Sequence, residues 1–174
     1  MLLSNWYKAL KENMSGAAQT YVNMIGKTPT YSAPSSWMRF NTSGATYPYL
    51  GKIQTQYGGT AYGGVLFGTG NTEPTLEDYK LSGDVITGIE GTAIVSSKED
   101  DDGSLTIEVI YTITNGNSFE IRISEIGVFG MGSSSYAGSS LAVLLDRTIL
   151  DEPLTIPAGG IGKVTYNIRM NSPV

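Results

Sequence analysis

The sequence predicts an all-β fold: an antiparallel β-sandwich, jelly-roll or Ig-like, with a short N-terminal helix and an extended N-terminal arm. Three observations predict it. From about residue 61 onward, short β-patterned segments recur with turn-forming residues between them. No crossover helices of the kind a parallel sheet needs are legible between those segments. Before residue 61, one short helical stripe is followed by a long stretch without sustained period. The implied division is 1–60 for helix and aromatic-rich arm, and 61–174 for the sandwich domain. A chain of 174 residues is long enough to bury a real core, roughly 70% of what its unfolded form exposes.

The helix begins at Ser4, whose hydroxyl can cap it, and stops near Gly16. Leu3, Trp6, Leu10 and Met14 fall at spacings of three and four and form one stripe. A helix this short is marginal alone in water, so the stripe needs a partner, either its own domain or a neighbouring subunit. Residues 16–60 are rich in Gly, Ser, Thr, Pro and Tyr. Pro29, Pro34 and Pro48 hold extended or turn conformations there. Tyr31, Trp37 and Phe40, with Tyr21, Tyr47, Tyr49 and Tyr57, are too aromatic for solvated disorder. They read as anchors of an arm laid against some surface. The partner-interface candidates are therefore Leu3, Trp6, Leu10, Met14, Tyr31, Trp37 and Phe40.

Residues 61–69 suit a short buried strand, and 70–84 are turn-rich, with a single helical turn after Pro74. Residues 88–97 form a weakly patterned strand. In 105–114, Leu105, Ile107, Val109, Tyr111 and Ile113 share one face and threonines and Glu108 the other, as in a half-buried antiparallel strand. In 119–130 the inward phase runs through Ile121 and Ile123, then slips to Ile126 and Val128. One extra residue near Ser124–Glu125 would do this, so a β-bulge is predicted there. Residues 141–150 are nearly continuously apolar, and Val164, Tyr166, Ile168 and Met170 alternate inward in 163–170.

Composition excludes much chemistry. The chain has neither histidine nor cysteine. His-based triads, thiol nucleophiles, disulfides and thiolate metal sites are absent with them. A net charge of −5 argues against phosphate-backbone binding. No run approaches ~20 apolar residues, so no transmembrane helix is expected. The first residues lack the basic region and apolar core of a signal peptide. Charged residues make up only 16%, below the ~25% of an ordinary soluble domain, which points to surface covered by other protein.

Individual motifs are weak. Gly26-Lys27-Thr28 lacks the phosphate-loop glycine five residues earlier, where Tyr21 stands. The acidic run from Lys98 to Ser104 fails calcium-loop spacing and instead carries Asp102-Gly103, a hairpin-turn signal. Glu125, Asp146, Asp151 and Glu152 are candidates for histidine-free carboxylate catalysis, but nothing marks a convergent pair. No cofactor, metal ligand or catalytic residue is expected.

Four motifs in order carry a resemblance. They are Val65-Leu66-Phe67-Gly68-Thr69-Gly70-Asn71-Thr72-Glu73-Pro74 with Asp78 and Leu81; Ile123-Ser124-Glu125-Ile126-Gly127-Val128-Phe129; Leu144-Leu145-Asp146-Arg147-Thr148; and Ile156-Pro157-Ala158-Gly159-Gly160 with Val164-Thr165-Tyr166-Asn167-Ile168. Together they resemble a pattern of tailed-bacteriophage virion proteins, over about residues 62–170. The resemblance implies a β-sandwich structural module of tail, neck, fibre or head surface, and no catalytic residues. The expected function is a non-enzymatic virion component, assembling with copies of itself and other virion proteins, without nucleic acid or membrane. The alternative is a carbohydrate- or receptor-binding module, meeting a host-surface glycan through Trp37, Tyr47, Tyr49, Tyr57 and Tyr62.

Overall fold

The computed structural model describes residues 19–20, 30–31, 50–56, 64–132 and 141–170. The predicted helix, most of the arm, and the candidates Leu3, Trp6, Leu10, Met14, Trp37 and Phe40 lie outside the described residues. So do Tyr47, Tyr49, Tyr57 and Tyr62 of the alternative reading.

The fold is all-β, and the described residues contain no helix. β1 (Gln19–Thr20) and β2 (Thr30–Tyr31) pair antiparallel, setting Tyr31 opposite Gln19. β3 (Ile53–Gln54) and β4 (Gly64–Gly68) pair parallel. β5 (Ile89–Glu99) and β6 (Leu105–Asn115) form a long hairpin. β7 (Ile121–Gly132), β8 (Leu141–Ile156) and β9 (Ile161–Met170) complete the set. One sheet has the order β3-β4-β7-β8 and the other β5-β6-β9. Both are antiparallel apart from the β3–β4 pair.

The alternation in the sequence places the core between these sheets. Val65, Phe67, Ile123, Ile126 and Val128 of the first sheet share one apolar cluster with Ile107, Val109, Tyr111, Ile113, Val164, Tyr166 and Ile168 of the second. Phe67 and Tyr111 meet edge to face, with ring centroids 5.5 Å apart. Leu105, predicted inward, is exposed at the start of its strand. Leu50 is buried in the same cluster and accepts a 2.5 Å hydrogen bond at its carbonyl from the Tyr111 hydroxyl. Residues 50–54 therefore belong to the same packed unit as β4.

The irregularity predicted near Ser124–Glu125 is present, but the surplus residues are on β8 and not, as expected, a single extra residue on β7. Register shifts between Ile123 and Glu125, where Leu154 and Ile149 are the successive partners, so the β8 segment 150–153 stands opposite Ser124 alone. The tip between β5 and β6 is the predicted hairpin turn. Asp100 N–H donates to the Ser104 carbonyl at 2.7 Å, and Gly103 takes φ 76°, which a side chain would make costly.

The outer face of the first sheet carries a second apolar cluster of Leu66, Phe129 and Leu144 under Leu81 of the connecting segment 69–84. That segment contains a hydrogen-bonded turn at 75–78 rather than the expected helical turn. No helix among the described residues is long and apolar enough to cross a membrane.

Candidate functional site

Beside the second apolar cluster the chain buries charge. Successive residues of a strand point to opposite faces. The phase slip in β7 sends Ile126 and Val128 to the core and turns Glu125, Gly127 and Phe129 outward, under segment 69–84. On β8 the same alternation separates Asp146 from Arg147. Asp146 meets the Tyr166 hydroxyl of the facing sheet, while Arg147 meets Glu125.

Glu125 is fully buried, and its carboxylate gathers backbone from the segment above it. Its Oε1 accepts from the N–H groups of Gly70 at 2.9 Å and Gly83 at 2.8 Å. Its Oε2 accepts from Ser82 N–H at 3.0 Å, Ser82 Oγ at 3.2 Å and Arg147 Nε at 2.8 Å. Arg147, equally hidden, then donates through Nη1 to Asp78 Oδ2 at 2.6 Å and through Nη2 to the Thr72 carbonyl at 2.5 Å. Asp78 in turn accepts from Thr75 N–H at 3.0 Å and Thr75 Oγ1 at 2.8 Å, closing the turn at 75–78. The guanidinium thus ties β8 to Glu125 of β7 and to Thr72 and Asp78 of the turn-rich segment, whose two ends Glu125 holds at Gly70 and at Ser82 and Gly83.

Electrostatics follow from this geometry. Burial alone raises the Glu125 carboxyl. The Arg147 side chain and the N–H groups of Gly83 and Ser82 outweigh it and hold the group below its ordinary value. For Asp78, burial likewise opposes, and Thr75 with Arg147 prevails in lowering the value. Burial opposes the charge of Arg147, and its two carboxylate partners more than restore it.

A carboxylate offers about four lone-pair positions. All of those on Glu125 are engaged by protein donors, so it has none left to take a proton from a substrate. The arrangement clamps a loop; it does not present a reactive group. Asp151 and Glu152 are exposed on β8 and Asp146 faces the other side of that strand, so the four candidate carboxylates do not converge. A cleft of about 460 Å³ beside the clamp is lined by Glu73, Pro74, Thr148, Ile149, Leu150 and Asp151, and neither Glu125 nor Arg147 opens into it. Among the described residues no group of three or more acidic side chains is placed to hold a metal ion.

The glycines of this region act through space, not through φ. Neither Gly68 nor Gly70 takes a positive φ. A Cβ on Gly68 would sit 2.7 Å from Glu125 Oε1, and one on Gly70 would strike Ser82 Oγ and the same carboxylate oxygen. The Glu125 carboxylate serves N–H groups of the overlying segment, those of Gly70, Ser82 and Gly83.

The Arg147–Asp78 half of the clamp has no signature in local pattern. The signal that was available is motif order: Gly70, Thr72, Asp78, Glu125 and Arg147 come from three separated motifs and meet here. Comparison of the chain with protein-family models, curated proteins and solved structures gives no match.

Proposed function

We propose that this chain is a non-enzymatic structural component of a tailed-bacteriophage virion, built on a β-sandwich of the jelly-roll or Ig-like kind. It serves as a tail, neck or fibre-attachment subunit or as a head decoration. The observation that carries the reading is the Glu125–Arg147–Asp78 clamp. The residues of three of the four motifs that resemble a virion-protein pattern converge on one buried network, and each group in it holds backbone. Motifs spent on architecture support a structural module over a catalyst. The low charged fraction of 16% supports extensive contact with other protein.

In this reading, Leu3, Trp6, Leu10, Met14, Tyr31, Trp37 and Phe40 supply assembly contacts on neighbouring copies or other virion proteins. The test is composition of purified particles. Quantitative mass spectrometry of tailed particles is expected to find the chain in a fixed ratio to the other virion proteins, with a matching antibody decorating one position in micrographs. A chain that remains entirely in the soluble fraction sinks the proposal.

A further inference from the structure

Among the described residues, β5 is the edge of its sheet, hydrogen-bonded to β6 alone. From Glu90 to Glu99 every residue is exposed except Ala93 and Val95, which are half-buried. Its ladder with β6 runs without a register shift, and the strand holds no proline. Bulges, prolines and strand-centre charges are the usual guards of an exposed edge. Here the charges sit only at the two ends, Glu90, Lys98 and Glu99, and the middle reads Gly91-Thr92-Ala93-Ile94-Val95-Ser96-Ser97. Ile94 stands at its centre, 69% exposed.

The backbone orientation follows from the two ends of the hairpin. Gly116 N–H donates to the Gly88 carbonyl and Asp100 N–H to the Ser104 carbonyl. In an antiparallel ladder, hydrogen-bonded and non-hydrogen-bonded pairs alternate. The even-numbered residues of β5 therefore bond to β6. Ile89, Gly91, Ala93, Val95, Ser97 and Glu99 turn their N–H and carbonyl groups to the free edge.

We propose that this edge pairs antiparallel with β5 of a second copy, about a two-fold axis at Ile94. In that register each outward-facing odd residue meets an odd residue of the second copy: Gly91 opposite Ser97, Ala93 opposite Val95. The backbone bonds are thereby complete. Ile94 meets its own counterpart in a non-hydrogen-bonded pair, where side chains come closest. Glu90 falls opposite Lys98 of the second copy, and Lys98 opposite its Glu90, on the same face as Ile94. Shifting the axis to Ala93 or Val95 sets Glu90 against Ser96 or Asp100 and loses both charge pairs. The result is one continuous sheet, β9-β6-β5 followed by β5-β6-β9 of the second copy. Such an isologous contact closes on itself. It is a property of the strand and holds whether or not the chain belongs to a particle.

Charge reversal tests the register. Sedimentation equilibrium of the full chain is expected to show a reversible dimer. Lys98→Glu should raise its dissociation constant about ten-fold, because two attractive pairs become repulsive, and the double variant E90K/K98E should restore it. The sequence contains no cysteine, so a cross-link reads the axis directly. Ile94→Cys should form an intermolecular disulfide under mild oxidation, since opposed residues of a non-hydrogen-bonded pair lie within disulfide reach. Ile161→Cys, exposed at the start of β9, should not at the same concentration. A chain that stays monomeric up to about 1 mM overturns the proposal. So does a dimer indifferent to Lys98→Glu, a double variant that fails to recover, or an Ile94→Cys variant that remains unlinked.

Discussion

Arg147 Nε lies 2.8 Å from Glu125 Oε2, with side-chain exposures of 1% and 0%. Neither charge has water to fall back on, so the pair, with Asp78, is bound to act as a unit. Removing one member of a buried ion pair leaves the other uncompensated, which costs about 3–5 kcal/mol. Arg147→Met is expected to lose stability of that order in urea unfolding. Arg147→Lys should recover little, because a point ammonium cannot serve Glu125, Asp78 and the Thr72 carbonyl together. The double variant Glu125→Gln with Arg147→Met should lose less than the sum of the single losses, the signature of coupling.

The same clamp sets an acid limit. Asp78 and Glu125 are held below their ordinary values in the folded chain. A carboxylate depressed by folding stabilises above its unfolded pKa, and that stabilisation is lost as pH falls through the folded value. The chain has no histidine to titrate between about pH 5 and 8. Stability is therefore expected to be flat through that range and to fall below about pH 4.5. Asp78→Asn should start less stable yet show a shallower acid limb. Chemical denaturation repeated across pH checks both parts; an unchanged limb in Asp78→Asn refutes the assignment.

Much of this fold was legible because strand patterning is local. The alternation of Ile107, Val109, Tyr111 and Ile113 marks one face, and that face is the buried one. The slip from Ile123 to Ile126 marks where the ladder is irregular, since the side-chain period of two cannot otherwise keep both residues inward, but it does not show that the surplus residues, 150–153, belong to β8. What was hidden is nonlocal. Leu50 and Ile53 sit in a stretch without period, and only pairing with Val65 brings Ile53 into a sheet. Arg147 and Asp78 are separated by 69 residues, so no spacing rule connects them. The glycines are ambiguous for a related reason. A sequence shows that a glycine is needed but not whether φ or a neighbour demands it, and at Gly70 the neighbours are Ser82 and Glu125.

That distinction yields a graded test. A Cβ on Gly127 would meet Leu81 Cδ2 at 2.6 Å and Leu144 Cδ1 at 3.0 Å, both ends of rotatable side chains. A Cβ on Gly83 would meet the Gly70 backbone, with Cα at 2.7 Å, and a backbone cannot rotate aside. Gly127→Ala is expected to cost about 1–3 kcal/mol through overpacking of the outer apolar cluster. Gly83→Ala should cost more, because separating Gly70 from Gly83 breaks the donors to Glu125. Thermal melts of the two variants decide the order, and amide exchange should show early opening of segment 69–84 only in Gly83→Ala.

The alkaline limit belongs to the core between the sheets. Burial pushes the Tyr111 hydroxyl up, and burial with the adjacent Asp146 carboxylate does the same to Tyr166. Here the sign is opposite to that of the carboxylates. A group whose folded pKa is raised favours the folded state while it is protonated, so its contribution is present below the unfolded pKa of about 10 and is lost as pH climbs above it. Stability should therefore decline above about pH 10, and part of the tyrosinate absorbance should arrive only with loss of the folded signal. Tyr166→Phe removes a donor to Asp146 and is expected to lower stability at neutral pH by about 1–3 kcal/mol. It should also flatten the alkaline decline, because one raised group is gone. A Tyr166→Phe chain that keeps the full alkaline slope would place the linkage on other groups and refute this account.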